Sequence, residues 1–534
     1  MDTNEHTEVG NALQFSHWEV LKNNPYVTFD EQGVMHLNLQ GITENGFPQQ
    51  IGLNVASGVV IAMSGDYFGG REVELDLPSL TDYNQLRKSS LSAKISRNLG
   101  EYLIKEPITS EEEQKLIRSY KRLANPNVQN ADIDTIYTIN NANYIPFSST
   151  LNTYVQQLMF ALRVNNYGEM LNRNLSHFTP WSIRVYILGH NLALKYARVS
   201  FELNQLIANP QYKSENEEFN SLLDDFKKNK NEKSPKNLQD LAYRYQAMAL
   251  GMELFCFHYY SDHFAAGHGA LVGDLRSLLP ERFGLLGGIL VNNLHDELNR
   301  VSVYTKRPYD PTPDSTEPPV ETRGDGDFDT LGNYYNKQSC IAGMQESMED
   351  IHRVFQGHKM PQQKEYGGLS KMPDIDTNYR QPQPLFLLGE DNIIYYRTKL
   401  NKIRTFSPSD MKAAHESPKQ YGYTELTSTF KALLLVGKLR ALSYFYQGEM
   451  EPLTEAELAR IEDEERQLNP GRLPIPQYPG IQKGQVPVFV PQWQKPASSE
   501  TVMKGLNRNG VLAASTKTQT SVLEPELESA NLSI

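Results

Sequence analysis

The sequence predicts a mainly α-helical protein, and two observations carry that prediction. From about residue 84 to residue 300, apolar residues recur at three- and four-residue spacing in TLNTYVQQLMFALRVNNYGEML, SIRVYILGHNLALKYARVSFELNQLI and LQDLAYRYQAMALGMELFCFHYYSDHF. That spacing lines one face of a helix. The same texture returns in CIAGMQESMEDIHRVFQ and LTSTFKALLLVGKLRALSYFYQ.

Taken in order, residues 1 to about 75 combine a short helix-like start with apolar alternation, VMHLNL and then IGLNVASGVVIAM, which reads as strands or buried extended chain. The helical stretch follows, broken at 213–237 by a polar insertion whose charge runs read as a solvated face. Residues 301–335, rich in Pro, Asp, Gly and Thr, read as a long irregular loop, and 357–384 as a second polar loop. Residues 385–468 form a C-terminal helical region. The segment 469–496 is a Pro-rich linker. The tail, 497–534, is Ser/Thr-rich and poor in aromatics, so it buries too little apolar surface to order itself. No internal repeat is visible.

The apolar fraction, 39%, suffices for a sizeable core. No window approaches the roughly 18 apolar residues a membrane span requires, so membrane contact is expected to be peripheral. The start, MDTNEHTEVGNALQF, lacks the basic and apolar regions of a secretory signal. A net charge of −12 disfavours nucleic acid as a partner. Cys256 and Cys340 are the only cysteines, too few for a cysteine-based zinc module. Any metal must be held by His, Asp and Glu.

Six of the twelve histidines lie between 177 and 295, and the sharpest pattern is HYYSDHFAAGH. On a continuing helix His258 and Asp262 stand four apart on one face, fit to chelate one cation. His268 falls off that face, but Gly267 lets the backbone turn and present it. Imidazole and carboxylate are ligands zinc favours. His263, between these positions, points elsewhere and reads as structural. His190 lies on the apolar face marked by Ala193, Leu194 and Ala197. His295 and Asn299 share a face, with Asp296 and Glu297 turned away. Asp66, flanked by glycines in GDYFGG, is a carboxylate presented from a turn, and His17 stands in FSHWEV. Tyr259, Tyr260 and Phe264 either pack the helix or line a lipid or choline pocket.

The ordered set His17, Asp66, His190, His258-x3-Asp262-x5-His268 and His295 resembles the zinc-dependent phospholipase C family and its relative, the single-strand nuclease family. GDYFGG, SHFTPW and HDELN are more similar to the larger bacterial branch of that family, which includes type IV-secreted effectors of intracellular pathogens. The resemblance covers roughly residues 10 to 350 and implies a helical catalytic unit over 1–355 holding two or three zinc ions. His190, His258, Asp262 and Asp66 would hold one zinc, His268 and His295 a second, and His17 a third that shares Asp262. Asp66 would also be the general base. Two departures stand out. Compact members use the amine of an N-terminal Trp, whereas Trp18 is internal here. The last ligand pair reads His295-x3-Asn299 instead of His-x3-Glu, so that zinc would be bound less tightly through the Asn299 amide or completed by another acid such as Glu297.

The implied reaction is hydrolysis of glycerophospholipids such as phosphatidylcholine to diacylglycerol and phosphocholine, by zinc-activated hydroxide attacking phosphorus. A zinc nuclease on single-stranded nucleic acid and a metal-free secreted interaction protein are the alternatives. The resemblance also implies a bacterial effector delivered by a type IV system, with the acidic ending LEPELESANLSI as its signal.

Overall fold

Asp2 starts the first helix, α1 (Thr3–Asn11). Its carboxylate accepts the backbone N–H groups of Asn4 and Glu5, and the Glu5 side chain accepts that of Asp2, a reciprocal capping box. The computed structural model describes residues 1–69, 104–146, 149–163, 175–179, 181–228, 235–306 and 318–472. Within them the protein is mainly α-helical, as the apolar spacing predicts.

Three antiparallel strands follow α1 in the order β1 (Val27–Phe29), β2 (Met35–Ile42) and β3 (Pro48–Ala56). Met35, Leu37 and Leu39 alternate into the core, as the pattern VMHLNL requires. The continuation SGVVIAMS is not extended, however: it forms α2 (Ser57–Ser64), buried at every position but Val59. An apolar run buried all round gives no period by which helix and strand differ. α2 crosses α1 so closely that a Cβ on Gly10 would lie 2.5 Å from the Gly58 Cα.

After α3 (Ser110–Leu123), α4 (Asn130–Asn141) and α5 (Ser149–Arg163) comes α6 (Trp181–Ala208), one of two 28-residue helices that form the spine. Arg184 of α6 is fixed to α3 by two 2.8 Å bonds to the Glu112 carboxylate. The polar insertion contributes α7 (Glu217–Lys228), which docks through Phe219, Leu223 and Phe226. Its charges are solvated, but a single apolar stripe anchors it. The second spine helix, α8 (Pro235–Asp262), packs along α6.

Beyond α8 lie α9 (Ala270–Phe283) and α10 (Leu285–Val301). The segment expected to be irregular contains β4 (Val303–Lys306) and β5 (Val320–Thr322), ahead of α11 (Tyr334–Phe355). β6 (Asp374–Ile375) completes a sheet of order β5-β4-β6. The C-terminal region is mixed rather than simply helical. It comprises β7 (Gln381–Pro382), β8 (Phe386–Leu388), β9 (Ile394–Arg397), β10 (Lys402–Ile403), β11 (Thr405–Phe406), α12 (Pro408–Glu416) and β12 (Tyr423–Glu425), then α13 (Thr429–Val436), α14 (Ser443–Tyr446), β13 (Glu449–Met450) and α15 (Glu455–Leu468). Its strands are only two to four residues long, too short to show alternation against loop sequence. Arg397 joins the region to α10 by buried bonds of 2.8 and 2.7 Å to both oxygens of Glu297. No helix among the described residues is long and apolar enough to cross a membrane. The linker beyond Arg472 and the tail 497–534 lie outside the described residues.

Candidate metal centre

α8 ends at Asp262, and the cluster is built around that carboxylate. His258, one turn earlier, brings its Nε2 to 3.4 Å of Asp262 Oδ2 and 3.7 Å of Asp66 Oδ1. His268 arrives from the short turn Ala266–His268, with Nε2 3.9 Å from Asp262 Oδ1. The spacing of HYYSDHFAAGH thus gives three side chains meeting at one place. Asp66 follows α2 in the turn expected of it.

Four further groups converge that sequence reasoning missed. The Met1 α-amine donates to Asp262 Oδ1 at 2.8 Å and pairs with Asp325 Oδ1 at 2.7 Å. His6 Nε2 lies 3.3 Å from Asp262 Oδ1. His177, at the turn before α6, places Nδ1 2.6 Å from Asp262 Oδ2. Asp325 Oδ2 stands 3.2 Å from His295 Nε2. Glu5 explains why α1 and Asp325 arrive together: its Oε1 accepts the N–H groups of Gly326 and Phe328, 3.0 Å each. Likewise Thr179 N–H donates to the His268 carbonyl, tying the His177 and His268 turns together.

Ring tautomers are fixed from behind. His258 Nδ1 donates to the Ile61 carbonyl at 2.9 Å. Ser261 Oγ gives its single proton to helix carbonyls, so it accepts from His6 Nδ1 at 2.9 Å. His295 Nδ1 donates to Asp296 Oδ1 at 3.0 Å. Each arrangement turns Nε2 toward the carboxylates, as supporting hydrogen bonds do for metal-binding imidazoles. Three groups, each with ligand atoms within 4.8 Å of one another, result: His6–Asp66–His258 and His177–His258–Asp262, which share His258, and His268–His295–Asp325.

The charges balance locally. Burial pushes the Asp262 carboxyl up, but the Met1 ammonium, His268 and His258 outweigh it and hold it well below the carboxylate range. Asp325 is held low against burial by the Met1 ammonium and His295, and Asp66 falls to about 2 through His258 and His177, again against burial. In return His258 is raised against burial by Asp262 and Asp66, and His295 rises against burial to about 9 beside Asp325 and Asp296. Burial, with His258 nearby, lowers His6 to about 4, so it stays neutral. Three carboxylates thus face the Met1 ammonium and two imidazoles, His258 and His295, that they raise, positive charge of the kind metal cations would otherwise supply.

Four residues expected as ligands, and three aromatics expected beside them, are elsewhere or in other roles. His190 sits in a separate buried network, Nδ1 3.0 Å from Glu253 and Nε2 3.3 Å from Asp350. Every residue from 181 to 190 is buried, so an apolar face could not point to the cluster. His17, 53% exposed, pairs with Glu349 at 2.9 Å, and His352 meets the other oxygen of Glu349 at 3.3 Å. Those are donor types that suit a metal, but Trp18 Nε1, Gln345 and both imidazoles already surround Glu349 with hydrogen bonds. Asn299 touches His295 Nε2 at 3.2 Å but chiefly accepts the Gly267 N–H, and Asp325 supplies the acid. Glu297 is committed to Arg397. Tyr259, Tyr260 and Phe264 are core residues, not pocket lining. His263 is structural as expected: its Nε2–H donates to the Pro373 carbonyl, and Nδ1 accepts from Thr179 and Ser182.

His177 was recoverable from its place in SHFTPW, immediately before a helix start, and Asp325 from the acid- and glycine-rich run RGDGDF. Compared with known proteins, the chain matches no family profile, no curated sequence and no solved structure.

Proposed function

We propose that the protein is a zinc-dependent phosphodiesterase of the phospholipase C type, acting on glycerophospholipids such as phosphatidylcholine. The observation that supports it most is the convergence on Asp262 of the Met1 amine, His6, His177, His258 and His268, all within 3.9 Å. A carboxylate so placed can bridge two ions. The donor set fits zinc, with imidazole nitrogen and carboxylate oxygen and no thiolate. Fit is also supported by His6 Nε2 and His258 Nε2, which are buried, face the carboxylates and make no hydrogen bond. Buried nitrogens without partners are rare and call for a reason.

In this reading His6, Asp66 and His258 would hold one ion and His268, His295 and Asp325 another, and Asp262, beside His177, would be the carboxylate they share. Bound zinc neutralises phosphoryl oxygens and lowers the pKa of water toward about 7. Asp66 is the most exposed carboxylate of the set, at 37%. In this reading it would ligate zinc and stand beside the attacking water as the general base that the resemblance implies. His177 and His258 hold that carboxylate in place. The net charge of −12 disfavours nucleic acid.

The test is the zinc-replete full chain on phosphatidylcholine vesicles and on single-stranded DNA. Release of diacylglycerol and phosphocholine, abolished by a chelator and restored by zinc, is the expected result. Rapid DNA cleavage with intact lipid would instead identify a nuclease, and less than one zinc per chain would remove the hydrolase reading altogether.

A further inference from the structure

Among the described residues thirteen large hydrophobic side chains are exposed, and six of them fall between 430 and 445. Isolated exposed apolar residues are ordinary, but a concentration of them marks an interaction site. α13 and the helical turns after it bury Ala432 and Leu435 in the cluster formed with Leu290, Val291 and Leu294 of α10. The opposite side presents Phe430 (66%), Leu433, Leu434, Leu442, Phe445 (66%) and Tyr444 (90%).

The charge on this element is one-sided. Between Glu425 and Glu449 the sequence contains Lys431, Lys438 and Arg440 and no acid, in a chain of net charge −12. Lys431 reaches the neutral oxygens of Glu425 C=O and Thr427, and Lys438 lies over the Tyr446 ring. Arg440 faces Asp296 at 3.9 Å, and Asp296 in turn holds His295 Nδ1. The apolar side is thus joined through two side chains to the metal centre.

We propose that residues 429–446 form a docking face for an anionic phospholipid surface, lying in the headgroup region with Phe430, Leu434 and Phe445 inserted. Apolar residues flanked by lysines, an aromatic belt and one face packed on the protein suit shallow insertion and not a span. The choice of lipid over protein as occupant rests on the proposed function; the binding is measured without turnover. Docking here would bring the His295 side of the centre to the headgroups.

The full chain is sedimented with vesicles of a phosphonate analogue of phosphatidylcholine, alone or mixed with phosphatidic acid, neither of which offers a phosphodiester to cleave. Expected is binding that strengthens with phosphatidic acid and weakens with salt. Phe430→Asn with Phe445→Asn should lower the partition coefficient at least about tenfold, each buried CH2 being worth ~0.8 kcal/mol. Lys431→Gln and Lys438→Gln should each cost about fivefold on anionic vesicles only. Equal binding by parent and variants, no binding by the parent, or loss of a dimer in the Phe variant on sedimentation equilibrium would each overturn the proposal, the last by naming a second copy as occupant. Hydrolysis separates the two readings. Variants that cleave vesicles as fast as the parent refute docking and leave the enzyme intact, whereas vesicle binding without cleavage of any phospholipid refutes the enzyme and leaves docking intact.

Discussion

Replacing Asp262 by Asn, beside His263→Ala as a comparator, tests the centre most directly. Asp262→Asn keeps the volume and removes one charge at a side chain 2% exposed. The Met1 ammonium, at 2.8 Å, and His258, at 3.4 Å, then lose a buried counter-charge, and His177 Nδ1 loses an acceptor at 2.6 Å. Removing one partner of a buried ion pair costs roughly 3–5 kcal/mol. His263→Ala leaves the Pro373 carbonyl and the Thr179 and Ser182 hydroxyls without their ring partner, roughly 1–3 kcal/mol plus a cavity contribution. Both variants are therefore weakened to a similar degree, within a typical stability of about 5–15 kcal/mol. They should differ in function. Asp262→Asn is expected to lose bound zinc and hydrolysis, and His263→Ala to keep zinc content and most of its rate. Urea unfolding gives the stabilities, elemental analysis the zinc. Wild-type zinc in Asp262→Asn, or equal zinc loss in both folded variants, would show that Asp262 is not the centre's shared ligand.

Further outcomes follow from the same geometry. A Cβ at Gly65 would lie 2.0 Å from His258 Cδ2 and 2.5 Å from His177 Cε1, so Gly65→Ala should displace both rings, costing roughly 1–3 kcal/mol and most of the zinc, as elemental analysis would show. His190, raised against burial to about 9 by Glu253 and Asp350, stabilises the fold when protonated. That stabilisation is complete below about 6.5 and disappears as pH rises through about 9. The stability gap between the wild type and His190→Gln should thus shrink by about 3 kcal/mol across that window, and a gap constant with pH in urea titrations would refute the assignment. Deleting 497–534 should leave zinc content and hydrolysis intact, because every side chain placed at the centre lies between residues 1 and 325, as elemental analysis and a lipid assay would show.

What the sequence made legible was set by periodicity. His258 and Asp262 were found because one helical turn places i and i+4 together whatever the tertiary fold, and His268 because Gly267 marks a turn directly after. His295 and Asn299 were placed on one face for the same reason, and they do touch. What failed was choosing between ligands brought in from distant elements. His190 has the same periodic credentials as His258, but on a helix buried all round at that level every direction is apolar, and Glu253 and Asp350 claim the ring. His6, His177, Asp325 and the Met1 amine arrive from a helix start, two turns and a chain terminus, where no period exists to read. Their signals lie in local hydrogen bonding. Asp2 and Glu5 announce a capping box, and the free oxygen of Glu5 is what fastens the 324–328 loop beside Met1.

The Asn299 departure illustrates the physical logic. An amide at the position where the resemblance implies an acid gives His295 Nε2 no negative partner from that side chain, while Nδ1 already holds Asp296. The chain supplies that partner 26 residues later in sequence but 3.2 Å away in space, through Asp325. The amide is then released for another task. Its oxygen holds the Gly267 N–H, so the residue that no longer supplies charge fixes the turn that presents His268. The acid thus stands at the same ring nitrogen that the Asn299 amide touches, His295 Nε2. A motif scan sees a weakened site, where the folded chain has an acid at His295 and a braced turn behind His268.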